Sequence, residues 1–173
     1  MSKTIVIFNQ KGGVGKTTTA INLSYALAKL GQRVLCVDMD AQSNLSSGLL
    51  EDYSEAASST YTLLTDDTKD IRSLIKPTKL DKLHVIDSST DIAGLEIELA
   101  QKGDWKDILK RRLEEIKSDY DFIFIDSPPS LGILSIMSLA AANSVIIPIQ
   151  AEYYALEGVS KLIKTIVLVK ENY

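Results

Sequence analysis

The segment Gln10-Lys11-Gly12-Gly13-Val14-Gly15-Lys16-Thr17-Thr18 constrains this chain more than any other. It follows the continuous apolar run Ile5-Val6-Ile7-Phe8. After it, Ala20, Leu23, Leu27 and Leu30 recur at spacings of three and four. The apolar run suits a strand buried on both faces, and the later spacing gives one apolar stripe of a helix. Glycines between a buried strand and a helix start let backbone N–H groups turn inward. The helix N-terminus adds a partial positive charge. A loop built this way cradles phosphate. Lys16 can then reach the β- and γ-phosphates of a nucleoside triphosphate, and the Thr17 hydroxyl is placed to ligate Mg²⁺. Lys11, Gly12, Gly13, Val14, Gly15, Lys16, Thr17 and Thr18 are therefore the candidate nucleotide-binding residues. The strict phosphate-loop pattern would have glycine at position 10, where Gln10 stands, and Lys11 is an additional lysine before the glycine pair. A dinucleotide fingerprint starting at Gly13 fails, because Thr18 occupies its last glycine position.

The same alternation continues along the chain. Gly31 stands where a left-handed helix cap is expected, and residues 33–38 read as a second buried strand, completing a βαβ unit. Residues 83–87 read as a strand, and Ile92, Leu95 and Leu99 suggest a short helix. Asp104 is a candidate cap for a helix carrying Trp105, Ile108, Leu109, Leu113 and Ile116 on one face. Residues 122–126 and 144–149 read as strands, and residues 131–142 and 155–169 as helices. The polar stretch 51–70 reads as a loop-rich insertion with one helical turn at residues 61–64. These elements predict an α/β fold of P-loop NTPase architecture, with a predominantly parallel sheet flanked by helices on both faces. Residues 1–173 are expected to form one such domain. The chain stops after a helix where a further strand would follow, so the domain is expected to be incomplete at its C-terminus.

Two strand ends carry carboxylates. Phe122-Ile123-Phe124-Ile125-Asp126 ends in an aspartate that, beside a phosphate loop, holds Mg²⁺ directly or through water. The stiff turn Ser127-Pro128-Pro129 after it suits a segment that senses the γ-phosphate. Val37-Asp38-Met39-Asp40-Ala41-Gln42 places two more carboxylates at a strand end, where ligands bind in open α/β sheets. Asp40 is the candidate for orienting the attacking water and for facing the metal. Asp38 either shares that role or anchors the backbone by hydrogen bonds. Thr17, Asp40 and Asp126 are thus the candidate metal-site residues, with ATP and Mg²⁺ as the expected cofactors.

Composition sets the outer limits. The chain has 173 residues, 45% of them apolar, which fits a globular domain with a core of its own. Its net charge of −4 argues against a surface devoted wholly to nucleic acid. Cys36 is the single cysteine and lies in an apolar run, so it reads as a buried core thiol, and no multi-cysteine metal site is possible. The single histidine, His84, reads as a strand-surface residue. No stretch resembles a signal peptide or a membrane span, so the expected compartment is the cytoplasm and no membrane partner is expected. Lys106, Lys110, Arg111 and Arg112, and Lys161, Lys164 and Lys170, read as solvated helix faces.

Lys11-Gly12-Gly13-Val14-Gly15-Lys16-Thr17-Thr18 matches the deviant Walker A motif. With Val37 to Gln42, Phe122 to Ser130 and Glu152-Tyr153-Tyr154-Ala155-Leu156-Glu157-Gly158, it resembles the ParA/Soj chromosome- and plasmid-partitioning ATPases over nearly the whole chain. The resemblance implies an ATP-switched homodimer. Lys11 would reach the partner subunit's nucleotide, while Lys16 and Thr17 act in their own subunit. Asp40 would position water and Asp126 would support Mg²⁺, which makes Lys11, Lys16 and Asp40 the expected catalytic residues. It also implies non-specific DNA binding at the nucleoid, by residues beyond this chain, and stimulation by a ParB-type centromere-binding protein. The direct start at the first strand is similar to the shorter type, without an N-terminal DNA-binding extension. The alternative is a MinD-like membrane-associated ATPase that regulates cell-division site placement, which shares the first motif. An iron–sulfur electron carrier of the nitrogenase-iron-protein kind is excluded by the lone cysteine.

Overall fold

A parallel sheet needs a helical crossover between successive strands and a helical layer over each face. The computed structural model, which describes residues 2–54, 59–152 and 155–172, has this arrangement. Strand β1 (Lys3–Ile7) leads through the glycine loop into helix α1 (Lys16–Lys29), which returns to strand β2 (Val34–Asp38). Two short helices follow, α2 (Asn44–Leu49) and α3 (Ser59–Thr65). Strands β3 (Lys76–Pro77) and β4 (Leu83–Ile86) precede helices α4 (Leu95–Ala100) and α5 (Ile108–Glu114). Strand β5 (Phe122–Asp126), helix α6 (Ile133–Ala141), strand β6 (Ser144–Ile146) and helix α7 (Ala155–Asn172) complete the described elements.

The strand order is β3-β4-β2-β5-β1-β6. All neighbours run parallel except the two-residue β3, which is antiparallel to β4. β5 therefore lies between β1 and β2, and the Ile5, Cys36 and Phe124 positions share one register row. Because side chains alternate along a strand, the apolar runs divide between two cores. Ile7, Cys36 and Phe124 pack with Ala20 and Ala28 of α1 and Leu45 and Leu49 of α2. Val6, Leu35, Val37, Ile123 and Ile125 pack on the opposite face with residues of α3 to α7, among them Leu63, Leu95, Leu109 and Met137. Burying a side chain such as Phe124 completely contributes about 1.5–3 kcal/mol.

Helix α1 ends as its glycine predicts. Gly31 has φ 91°, its amide bonds to the Ala28 carbonyl at 3.0 Å, and the Gln32 amide bonds to the Leu27 carbonyl at 3.1 Å. This is the Schellman pattern, which needs the left-handed conformation that glycine adopts without strain.

Several expectations need correction. The stretch 51–70 is more ordered than a loop-rich insertion, because Leu63 and Leu64 of α3 are drawn wholly into the core. Residues 55–58 lie outside the described residues. α2 and β3 were not anticipated. Asp104 caps nothing with its side chain: residues Trp105–Asp107 form a 3₁₀ turn, and α5 starts only at Ile108. β6 stops at Ile146 rather than at 149. Pro148 has no N–H to give to a ladder, and its carbonyl instead accepts from the Asn9 side chain at 2.8 Å. Arg112 is not on a solvated face. It is 3% exposed, donates to Glu115 at 2.9 Å and bonds to the Lys69 carbonyl. Its charge is neutralised inside, as a buried guanidinium requires. Lys110, Arg111, Lys161, Lys164 and Lys170 are exposed as expected. Cys36 is buried, and His84 is half-buried beside the Tyr120 hydroxyl at 2.9 Å. No helix among the described residues is long and apolar enough to cross a membrane.

At the opposite end of the sheet from the glycine loop, Asp121 accepts from the Arg33 amide at 2.8 Å and from its guanidinium at 2.9 Å. The Arg33 side-chain bonds, then its backbone bond, lower the Asp121 carboxyl to about 2. A carboxyl depressed on folding stabilises the fold above its unfolded value, and that stability is lost as pH falls toward the folded value. Wild-type stability is therefore expected to fall between about pH 4 and pH 2 by a step that Asp121→Asn lacks. Urea denaturation at a series of pH values checks this; parallel curves for the two proteins would contradict it.

Candidate functional site

Placing β5 between β1 and β2 brings three strand ends together. The loop after β1, the carboxylates after β2 and Asp126 at the end of β5 all open on one edge of the sheet. Asp38 and Asp126 are register partners. The Met39 amide bonds to the Asp126 carbonyl at 3.0 Å, and Ser127 bonds to the Ile7 carbonyl through its hydroxyl at 2.8 Å. The three loops are thus tied to one another by backbone as well as by sheet.

The glycine loop has the conformation that its composition predicts. Gly13 has φ 73° and Gly15 has φ 91°, values at which a side chain would be strained. A Cβ at Gly12, Gly13 or Gly15 would meet nothing within 4 Å, so open space borders the loop at all three. α1 starts at Lys16 with no side chain capping it and no acidic residue in its first turn. Helix-start amides without a side-chain acceptor, joined to the positive end of the helix dipole, form an anion site. Val14 is buried and anchors the loop, whereas Thr18 is exposed.

The two lysines of the motif have opposite environments. Lys16 is 7% exposed, and its ammonium donates to the Lys11 carbonyl at 3.2 Å. Burial lowers its pKa, and the Asp126 and Asp40 carboxylates push it back up. The Lys11 side chain is 56% exposed and paired with Glu152 at 2.5 Å.

Asp126 is almost completely buried. One of its oxygens accepts from the Thr17 hydroxyl at 2.7 Å, and Oδ1, also buried, has no partner among the described residues. Burial raises its pKa to about 7; the Thr17 bond opposes this, Asp38 and Asp40 add to it, and Lys16 opposes it. An orphaned carboxylate oxygen beside a hydroxyl and other carboxylates fits a hard cation with oxygen ligands such as Mg²⁺. Among the described residues no three His, Cys, Asp or Glu side chains could hold a metal by themselves. A cation here needs phosphate and water oxygens, which is how Mg²⁺ is usually bound.

The open question over Asp38 is settled by its contacts. It is wholly buried, and Oδ2 accepts from the Ser46 hydroxyl at 2.6 Å and amide at 2.9 Å. Oδ1 accepts from the Asp40 amide at 3.1 Å. Both oxygens are engaged, so Asp38 is a backbone anchor. Burial nevertheless raises its pKa to about 6, against its bonds to Ser46. Asp40 is half-buried, and its Oδ1 accepts from the Gln42 amide at 3.0 Å. A cavity of about 120 Å³ lies between Asp40 and the turn at Pro128 and Ser130.

Sequence reasoning missed Asn9, Ser46 and Gln150. Gln150 donates to the Gly13 carbonyl at 3.0 Å, and the Lys11 amide donates to the Asn9 side chain at 3.0 Å. A polar residue directly after a buried strand was the available signal for Asn9; Ser46 and Gln150 carried none. Tyr153 and Tyr154, part of the segment that supported the resemblance, lie outside the described residues.

The sequence profile of the family described as "AAA domain" matches residues 2–173. The chain is 49% identical, over 99% of its length, to the sporulation initiation inhibitor protein Soj of Bacillus subtilis. It is 47% identical, also over 99% of its length, to the chromosome partitioning protein ParA of Myxococcus xanthus. It spans 68% of the first relative and 60% of the second. Its fold superposes with a TM-score of 0.90 on cobyrinic acid a,c-diamide synthase from Mycobacterium smegmatis with bound ATP analogue and magnesium, at 35% identity. That match covers 99% of this chain and 69% of the other. A putative plasmid partition protein from Borrelia burgdorferi bound to AMPPNP superposes with a TM-score of 0.86 at 32% identity, covering 99% of this chain and 72% of the other. With its deviant Walker A loop in place, the chain belongs to this AAA-domain family and is a partitioning ATPase homologue of the Soj/ParA type.

Proposed function

We propose that residues 1–173 form one nucleotide-binding domain that binds ATP with Mg²⁺ and hydrolyses it within an ATP-switched homodimer serving DNA partitioning. The observation that carries this reading is the pair Thr17–Asp126, with the buried Asp126 Oδ1 left without a partner among the described residues. A buried carboxylate oxygen suits a cation and uncapped helix-start amides suit an anion, and a magnesium–triphosphate complex offers both. Solved relatives hold an ATP analogue or ADP with magnesium.

In this reading the loop amides and the start of α1 bind the phosphates, and Lys16 neutralises the β- and γ-phosphate charge. Its buried position keeps that charge poorly screened and therefore effective. Thr17 and Asp126, with Asp40 near them, would hold Mg²⁺, which would supply positive charge against the developing phosphate charge. Asp40 orients the water that takes the γ-phosphoryl group, giving ADP and inorganic phosphate. The turn after Asp126 faces the same cavity as Asp40 and is suited to register the γ-phosphate. Lys11, exposed and paired only through an exposed salt bridge, completes the partner's site in the dimer, a role comparable to an arginine finger. Non-specific DNA and a ParB-type protein are the proposed partners, and the nucleoid in the cytoplasm the proposed location.

Lys16→Ala is expected to weaken ATP binding by about 10²-fold or more, since it removes a charged contact to phosphate. Isothermal calorimetry checks this, and wild-type affinity would refute the loop assignment. Asp40→Ala is expected to retain ATP binding while hydrolysis falls about 10²-fold or more; normal turnover would remove Asp40 from the reaction. Lys11→Ala is expected to bind ATP normally but to lose ATP-dependent dimerisation and hydrolysis. Sedimentation with a non-hydrolysable analogue reads this, and an undiminished, active dimer would show that the Lys11 side chain is needed neither for dimerisation nor for hydrolysis.

A further inference from the structure

Ser46 has no place in the phosphate loop or among the candidate metal-site residues, yet it lies at the centre of the polar contacts behind them. It is on α2 and is completely buried. Its hydroxyl donates to Asp38 Oδ2 at 2.6 Å and accepts from the Ser88 amide at 2.9 Å. Its own amide donates to the same Asp38 oxygen at 2.9 Å. The other Asp38 oxygen accepts from the Asp40 amide at 3.1 Å. The Thr60 hydroxyl bonds to the Asp38 carbonyl at 2.9 Å. A continuous chain of bonds thus runs from the end of β4, through Ser46 and Asp38, to the backbone of Asp40.

We propose that Ser46 is a positioning residue for ATP hydrolysis, holding Asp38 so that Asp38 fixes the Asp40 backbone where its carboxylate can meet the attacking water. The inference rests on the reading of Asp40 given above. Among the described residues, the Asp38 carboxylate accepts from Ser46 and from the Asp40 amide, and the Ser46 hydroxyl bond is the shortest of these. Without the hydroxyl, the Asp38 carboxylate is held on that side by one amide alone, and the Ser88 amide loses its acceptor. A buried carboxylate with fewer donors turns toward those that remain, and the Asp40 loop moves with it. The phosphate loop is not part of this chain of bonds, so binding and turnover should separate.

The test compares steady-state ATP hydrolysis with Mg²⁺ for wild type, Ser46→Ala, Ser46→Cys, Ser46→Thr and Asp40→Ala. ATP affinity by calorimetry and hydrogen exchange at the Asp40 amide are measured alongside. Ser46→Ala is expected to lower kcat by about tenfold or more while KM stays unchanged, because small displacements of a reacting group are costly. Exchange at the Asp40 amide should quicken while amides of β1 and β5 keep their protection. Ser46→Thr, which keeps the hydroxyl, should restore kcat. Ser46→Cys, which has a weaker donor of similar size, should fall between and carries the test where the alanine variant does not fold. If Asp40→Ala is inactive and the Ser46 variants turn over like wild type, the role of Ser46 is overturned while that of Asp40 stands. If wild type does not hydrolyse ATP, or Asp40→Ala turns over normally, the reading of Asp40 falls and the role of Ser46 with it.

Discussion

The hydrogen bond from Thr17 to Asp126 depends on one topological fact, the insertion of β5 between β1 and β2. Were β1 and β2 adjacent, as their order in the chain suggests, the glycine loop and the β2 carboxylates would face each other with no strand end between them. The crossover through α1 skips a strand, and β5, the last central strand in the sequence, fills the gap. Asp126 then lies under the loop with Asp38 beside it in register. The geometry of the candidate site is therefore set by sheet order, and the loops only refine it. Strand ends at such a position are where open α/β sheets bind ligands.

The same arrangement is electrostatically incomplete. Burial raises the pKa of both carboxylates in these adjacent strands, and Asp126 is raised further by Asp38 and Asp40. Lys16 is the compensating charge named for Asp126, and burial weakens its hold on its own proton. A fold selected for stability alone would satisfy Asp126 Oδ1 or replace it. An unsatisfied carboxylate held in a rigid setting is characteristic of a site completed by something outside the chain. Asp38 shows the contrast within the same row. It is buried more deeply, yet every contact it needs is supplied by the protein.

What was legible in the sequence followed periodicity and what was not followed tertiary context. β1, α1, β2, β4 and β5 were readable because uninterrupted apolar runs and a three-and-four spacing leave little else to form. The glycine loop was readable because its residue types have one common use. α2 was not: Asn44, Ser46, Ser47 and Gly48 are poor helix formers, and Leu45 and Leu49 dock there because α1 and the sheet offer them a core. Arg112 was misplaced because sequence shows a charge but not the Lys69 carbonyl that receives it. The Asp104 cap failed because a 3₁₀ turn intervened, and strong propensity at one residue does not fix where a helix begins. The role of Asp38 was undecidable without the structure, since its donor Ser46 is eight residues away on an unanticipated helix.

Lys11 and Lys16 show how a short motif can hold two lysines in opposite environments, one buried and one exposed. Between them Gly13 and Gly15 take left-handed conformations that reverse the chain. The Lys11 side chain is exposed while its carbonyl receives the Lys16 ammonium. The residues at 148–152 run beside the loop. The Pro148 carbonyl meets Asn9, the Gln150 side chain meets Gly13, and Glu152 meets Lys11. Because β6 ends early at Ile146, its following segment is free of the ladder and can run along the loop instead. An exposed ion pair such as Lys11–Glu152 contributes little to stability, so this contact can be exchanged for another anion at small cost. The inner lysine has no such freedom, since leaving its buried position would strand Asp126 and Asp40 without their cation. One lysine is thus committed to its own loop by burial, and the other is left available by exposure.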